Sequence, residues 1–294
     1  MSPDKMLRIA LPNKGRLSED ARDLFNQAGL DVLVRGDRAL TASLGGEFEA
    51  IFVRAQDVPE FVADGAADAG ITGFDLVSES ERELESLLDL EFGKCRLVIA
   101  CREESTVAAV DELAKDSRVA TAFPAIARQY FEKAGVEVQV VPISGAAEIA
   151  PHLGIADVIL DVTSTGSTLK TNGLRELETV MSSSARLYAA PCRKDTWPAE
   201  KLNALDQLVG ALASVIAARG KRYLMANVPR KALDQVKEIL PGLNGPTVVD
   251  ILNGGEHVAV HAVVQAKSVY RTIASLKELG AEGILLTRIE RLVP

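Results

Sequence analysis

Short apolar runs and helical repeats alternate along the first two thirds of the chain. Leu7 to Leu11 predicts a strand, after which Leu17, Ala21, Leu24, Phe25 and Ala28 recur at helical spacing. Phe48 to Val53 predicts a second strand, Asp57 to Asp64 a short helix, and Ala69 to Thr72 a buried strand. A second unit begins near Cys95. There, Arg96 to Ala100 and Val119 to Thr121 read as strands, Pro124 opens a helix, and Val136 to Val141 is a strand. Ala146 to Leu153 reads as a short helix and Val158 to Val162 as a strand entering a Ser/Thr/Gly loop. The run Ala185 to Ala190 can return to the first unit. This alternation predicts mainly parallel sheet covered by helices. It divides into one lobe over 1–94 with a return segment at 184–219 and another over 95–183. Strands crossing between the lobes would leave a ligand cleft there.

The last third has a different rhythm. Leu202, Leu205, Leu208, Val209, Leu212, Val215 and Ile216 form one apolar helix face, and Gly220 ends that helix. Beyond it come a strand (222–228), a helix (231–240), two strands (247–252 and 258–264), a helix (267–279) and a strand (284–289). The turn Asn253-Gly254-Gly255 joins the middle strands as a hairpin. The order βαββαβ is the ferredoxin-like arrangement, which makes 220–294 a separate domain.

Composition narrows the function classes. A chain of 294 residues exceeds one ordinary core, and 47% hydrophobic with 25% charged residues excludes wholesale disorder. The segment 1–15 has no long apolar run, so neither a signal peptide nor a membrane anchor is expected. Three cysteines, Cys95, Cys101 and Cys192, show neither metal-ligand spacing nor a disulfide framework, which fits a reducing cytoplasm. A net charge of −8 argues against a general nucleic-acid binder, and 4% aromatics against a stacking platform for single strands. Neither excludes a small anion held by a few cations in one cleft.

The richest local signal is the stretch from Asp157 through Asp161 to Leu169, DVILDVTSTGSTL. A buried strand ends at a carboxylate, followed by hydroxyls and one glycine before a helical stretch. Gly166 lets the backbone turn tightly enough for several N–H groups to converge on one phosphate. Ser164, Thr165, Ser167 and Thr168 add hydroxyl donors, and the helix start favours negative charge. Asp161 repels phosphate and suits ribose hydroxyls or a metal instead. A polar strand-to-helix turn with a helix cap would look similar. Pro12-Asn13-Lys14-Gly15-Arg16-Leu17 puts two cations beside a glycine at another strand-to-helix junction. Arg54 ends an apolar strand, where it serves an anion or pairs with Asp57. Asp68 to Asp75 is a further strand entering a glycine turn. His257 and His261 share one face of a strand, without the further ligands a zinc site needs.

Taken together, these segments resemble the ATP phosphoribosyltransferase family over almost the whole chain. The resemblance rests on LPNKGRL at Leu11 to Leu17, RAQDVPEFVADGAADAGITGFD at Arg54 to Asp75, SGAAEIAPHLGIAD at Ser144 to Asp157 and DVTSTGSTLKTNGL at Asp161 to Leu174. Four matches in order are far more specific than any one. The domain after Gly220 looks like the regulatory domain of the family's long form. The fold implied is a two-lobed, periplasmic-binding-protein-like α/β core plus that ferredoxin-like domain. The reaction implied is phosphoribosyl transfer from phosphoribosyl pyrophosphate, with Mg²⁺, to N1 of the adenine of ATP. The resemblance places Ser164, Thr165, Gly166, Ser167 and Thr168 on the donor's 5-phosphate, and Asp161 and Glu148 on ribose hydroxyls. Arg54 and Lys14 become the catalytic cations facing pyrophosphate and the ATP phosphates together with Arg16, while Asp75 lies on the acceptor side. Protein ligands for Mg²⁺ stay unassigned, since substrate phosphates largely hold the ion.

The resemblance also implies L-histidine as an inhibitor and dimers that assemble into hexamers. Asn227 and Thr247, at strand edges of the last domain, are candidate effector contacts. Adenine N1 carries a free lone pair at neutral pH, so no Ser-His-Asp or Cys-His set is expected. Two rivals share the architecture. A solute receptor has no need of the DVTSTGST loop. Prephenate dehydratase requires a Thr-Arg-Phe signature that this sequence lacks.

Overall fold

The computed structural model describes residues 6–34, 39–252 and 255–293. The chain opens with β1 (Arg8–Pro12), α1 (Arg16–Gln27), β2 (Val32–Val34), β3 (Thr41–Leu44), β4 (Phe48–Val53), α2 (Val58–Ala63), β5 (Ala69–Gly73), α3 (Phe74–Ser80) and β6 (Glu85–Asp89). It continues through β7 (Cys95–Arg102), β8 (Ser117–Thr121), α4 (Pro124–Ala134), β9 (Val138–Pro142), β10 (Val158–Thr163), α5 (Ser167–Thr171), β11 (Leu174–Ser183) and β12 (Ala185–Ala189). Last come α6 (Arg193–Thr196), α7 (Ala199–Ala218), β13 (Lys221–Pro229), α8 (Leu233–Ile239), β14 (Thr247–Asp250), β15 (His257–Gln265), α9 (Val269–Glu278) and β16 (Glu282–Arg288).

Two sheets make the core's two lobes. One has seven strands in the order β2-β3-β4-β1-β5-β12-β6, and the other five in the order β11-β7-β10-β8-β9. β1 lies between β4 and β5, parallel to both. Covered on both faces, its Ile9, Ala10 and Leu11 are buried, as central parallel strands require. The expectation of mainly parallel sheet is corrected. In the first sheet the remaining pairings are antiparallel, because the hairpins of β2, β3 and β4 and the returning β12 reverse direction. In the second, β8 is parallel to β10 and β9, while β7 runs antiparallel to β10 and β11. The helix expected over 146–153 is also corrected to a 3₁₀ turn at Ala147–Ile149. A left-handed Ala146 (φ 52°) enters it, and Pro151 cannot donate the next helical bond.

The chain crosses between the lobes twice, and the crossings bond to each other. Ala185 donates its N–H to the carbonyl of Phe92, and Leu90 to that of Ala185, both at 3.0 Å. Ser183 lies opposite Cys95 in the β11–β7 ladder. All of this belongs to one compact unit, Met1–Val209, and a second unit comprises Gly210–Pro294. The second unit takes in the end of α7, whose Ser214 carbonyl accepts the N–H of Leu292 at 2.9 Å.

In the second unit the sheet order is β14-β15-β13-β16, antiparallel throughout. That order and connectivity make a ferredoxin-like domain following the two-lobed, periplasmic-binding-protein-like core. Alternate residues of β13 and β15 (Leu224, Ala226 and Val228; Val258, Val260 and Ala262) are buried with Val236 and Leu276 of the two helices. Asn253 and Gly254 of the expected hairpin turn lie outside the described residues.

Candidate functional site

Strand direction decides where the chemistry collects. β8, β9 and β10 are parallel, so the loops after them emerge at one edge of the second sheet. That edge carries the start of α4, the turn containing Glu148, and the end of β10 with its short turn into α5. β1, β4 and β5 likewise send out Lys14 and Arg16, Arg54, and Asp75 from one edge of the first sheet. Carboxyl ends of parallel strands are where α/β folds hold ligands.

The loop after β10 is tied from within. Thr163 Oγ1 accepts the Gly166 N–H at 2.8 Å, and the hydroxyls of Thr165 and Ser167 are 2.9 Å apart. Gly166 has φ +75°, and a Cβ built on it would stand 2.9 Å from Glu176 Oε1. Glu176 is itself held in a fork by Arg96, at 2.9 and 3.0 Å, and Arg96 also donates to Thr179 Oγ1 at 2.9 Å. A side chain added at this turn would therefore press on that ion pair. Ser164, Thr165, Ser167 and Thr168 stay exposed, leaving the outer side of the loop open.

Two adjoining cavities lie along the crossing. One of about 520 Å³ is lined by Arg16, Gly73, Asp75, Lys94, Cys95 and Ser164, among others. The other, about 420 Å³, shares Lys94, Cys95 and Ser164 and adds Asp89, Arg96, Ser182, Ser183, Ser184 and Arg186. Asp75 is buried where α3 starts. Ser183 Oγ donates to its carboxylate at 2.6 Å and accepts its N–H at 3.0 Å. A Cβ on Gly73 would come within 2.2 Å of Asp75 Oδ1, so only glycine lets the carboxylate fold back over the strand end.

The local electrostatics fit binding rather than covalent catalysis. Burial, and then the negative charge of Asp75, push the Cys95 thiol up, so it is not an activated thiolate. Burial likewise raises Tyr188 to about 12. Burial also raises Asp161, with Glu148 adding repulsion and the Val162 N–H opposing both. Two carboxylates this close suit hydroxyl donors or a hard cation.

Since the folded Asp161 carboxyl sits above its unfolded range, its stability contribution is complete below the unfolded pKa. It is lost as pH rises through the folded one. Asp161→Asn is therefore expected to raise the melting temperature at neutral pH and leave it unchanged near about pH 3, where both side chains are neutral. Thermal melts at the two pH values check this, and a fall at neutral pH contradicts it.

The structure thus gathers Arg16, Asp75 and Ser164 around one cavity, with Asp161 and Glu148 close to each other. Lys14 and Arg54 follow adjacent strands, where the Asn13 N–H meets the Val53 carbonyl at 2.8 Å. Both are exposed and stand outside the linings of the two cavities. Sequence reasoning missed Lys94, Arg96 and Arg186, three cations on the second cavity. The run Ser182 to Ser184 was the signal available, but its pairing with Cys95 spans nearly ninety residues. In the second unit, Asn227 and Thr247 fall on the open face of the sheet, in register with Ala259 and His261 of β15. His261, the partner of Thr247, has its Nδ1 2.8 Å from the Tyr223 hydroxyl.

Comparison with known proteins shows the family. The sequence model of the ATP phosphoribosyltransferase family matches residues 54–214, more than half of the chain. The model of that family's C-terminal domain (HisG, C-terminal domain) matches 218–291. An ATP phosphoribosyltransferase of Gemmatimonas aurantiaca is 68% identical over 98% of this chain and 100% of its own length. One from Haloarcula marismortui is 51% identical, with the same coverage of both chains. Among solved structures, the ATP phosphoribosyl transferase (HisG:HisZ) complex from Thermotoga maritima aligns with TM-score 0.63 at 28% identity. That alignment covers 72% of this chain and 99% of that one. With full-length identity this high and a second domain matched in its own right, the chain belongs to the ATP phosphoribosyltransferase family, the transferases that open histidine biosynthesis, in the long form with a C-terminal domain.

Proposed function

We propose that the cleft joins the anomeric carbon of phosphoribosyl pyrophosphate to N1 of ATP and releases pyrophosphate. The loop from Ser164 to Thr168 receives the 5-phosphate through the Gly166 turn and its hydroxyls, and Asp161 and Glu148 accept the ribose hydroxyls. Asp75, fixed by Ser183, faces the acceptor. Arg16, Lys94, Arg96 and Arg186 offer positive charge around the adjoining cavities. Lys14 and Arg54 add two cations just after the ends of β1 and β4.

Adenine N1 needs no deprotonation, so the residues act by alignment and by charge. Breaking the anomeric bond builds positive charge on the ribose and negative charge on the leaving pyrophosphate. Cations already in place stabilise the latter without reorganising. Among the described residues, no group of three or more His, Cys, Asp or Glu side chains could hold a metal by itself. Asp161 and Glu148 are nonetheless oxygen donors of the kind Mg²⁺ takes alongside substrate phosphates. Mg²⁺ would arrive largely on those phosphates and neutralise charge on the pyrophosphate. Arg54→Ala is expected to lower kcat more than it weakens substrate binding, because the charge it meets appears mainly in the transition state. A rise confined to the KM for ATP contradicts that role.

Free L-histidine would act at the second unit, with Asn227 and Thr247 as contacts on the open sheet face. The protein would work in the cytoplasm as dimers that associate into hexamers. No described helix is long and apolar enough to cross a membrane.

The observation that best supports the reaction is the convergence of Arg16, Asp75 and Ser164, from three separate segments, on one cavity. Mixing the protein with ATP, phosphoribosyl pyrophosphate and Mg²⁺ tests it. Pyrophosphate release that needs all three supports the reading, and release without ATP contradicts it.

A further inference from the structure

The start of α4 is capped by a residue of the opposite lobe. Pro124 occupies its first turn and has no N–H. The next two N–H groups, of Ala125 and Ile126, both point at the carboxylate of Glu79, near the end of α3. Ala125 donates to both oxygens at 2.9 and 3.1 Å, and Ile126 to Oε2 at 3.0 Å. A carboxylate against the positive end of an eleven-residue helix is a charge-assisted contact. Gln129, further along α4, donates to Glu81 at 3.1 Å. Leu76 of α3 packs on the apolar cluster of the second lobe, which includes Ile126 and Phe131. One short helix of the first lobe therefore grips the second lobe by polar and apolar contacts together.

The same helix begins in the cleft. Asp75 and Glu79 are four residues apart, one turn along a single face. Asp75 is buried against Ser183, while Glu79 holds α4. We infer that Glu79 is a positioning residue. By capping α4 it fixes α3 between the lobes, and so sets where Asp75 and its lobe stand relative to the phosphate loop. The inference rests on the transfer reaction proposed above. The donor's 5-phosphate and ribose contacts proposed above come from the second lobe, and only its pyrophosphate meets cations of the first. Loosening α3 should therefore cost donor binding less than alignment, to which transfer is steeply sensitive.

The test is Glu79→Ala, with Glu79→Gln as a second variant that keeps one acceptor oxygen and the side-chain shape. The expected result is a fall in kcat of about tenfold or more for Glu79→Ala and a smaller fall for Glu79→Gln. The dissociation constant of phosphoribosyl pyrophosphate, titrated directly, should move less than about twofold. Formate, a carboxylate small enough for the vacated cap, should restore part of the rate to Glu79→Ala and none to the unaltered protein. A folded Glu79→Ala or Glu79→Gln with unchanged kcat overturns the inference. So does donor affinity that falls in step with kcat, which would place the lost contact in donor binding rather than in alignment. An unaltered protein that releases no pyrophosphate refutes the reaction instead, a failure visible before any variant is made.

Discussion

Gly166→Val is expected to weaken binding of phosphoribosyl pyrophosphate by about a hundredfold or more while leaving the fold intact. Valine is strained at φ +75°, at a cost of about 1–3 kcal/mol, which a domain of ordinary stability survives. Its Cβ would also stand 2.9 Å from Glu176 Oε1, an oxygen that Arg96 already holds at 3.0 Å. Either the loop moves or the Arg96–Glu176 pair gives way, and the strain at φ +75° favours a shift of the loop. Losing even two charge-assisted N–H contacts to phosphate, at about 1.5–3 kcal/mol each, accounts for that factor. ATP binding in the absence of donor should not change. Direct titration of each substrate, with a thermal melt to confirm folding, checks the result. Unchanged KM and kcat in a folded variant would remove the phosphate from this loop.

Truncation after Arg219 is expected to leave a transferase that L-histidine no longer inhibits. The full chain should show an inhibition of about 5- to 150-fold, the usual range of coupling between two sites. An effector shifts activity at a distance only by binding two conformations unequally. The second compact unit supplies none of the residues assigned to the transfer, which favours a sensing role. That unit begins at Gly210, so the cut leaves Leu212 and Val215 of α7 without the unit to which they belong. A second truncation after Val209, with oligomer size measured for both, separates lost inhibition from lost assembly. Inhibition that survives either cut contradicts the sensing role.

The repeating elements were legible because burial writes them into the chain. Ile9, Ala10 and Leu11 of β1 and the alternating Leu224, Ala226 and Val228 of β13 are buried on one or both faces, and each forced a readable pattern. The turn after β10 was legible as a strand-to-helix junction too, since hydroxyls and one glycine follow a buried strand. Three features were not. α3 is too short for a periodic signal, and its Asp75 and Glu79 acquire meaning only through Ser183 and α4. The ten-residue β11 alternates irregularly because it carries two register shifts against β7. Arg96 reads as a strand residue until Glu176, eighty positions away, shows what it supports. Local order came from hydrophobic period, whereas the site's second cavity came from long-range pairing that no period encodes.

One measurement reaches the central claim directly. ATP labelled with ¹⁵N at adenine N1 is incubated with phosphoribosyl pyrophosphate labelled with ¹³C at the anomeric carbon, Mg²⁺ and the protein. The product is then read by carbon NMR. The account predicts an anomeric carbon split by one-bond coupling to nitrogen, growing in step with released pyrophosphate and growing much more slowly in Gly166→Val at donor levels that just saturate the unaltered protein. An anomeric carbon that shows no such coupling, whether bonded elsewhere on the base or freed as ribose 5-phosphate, would contradict it.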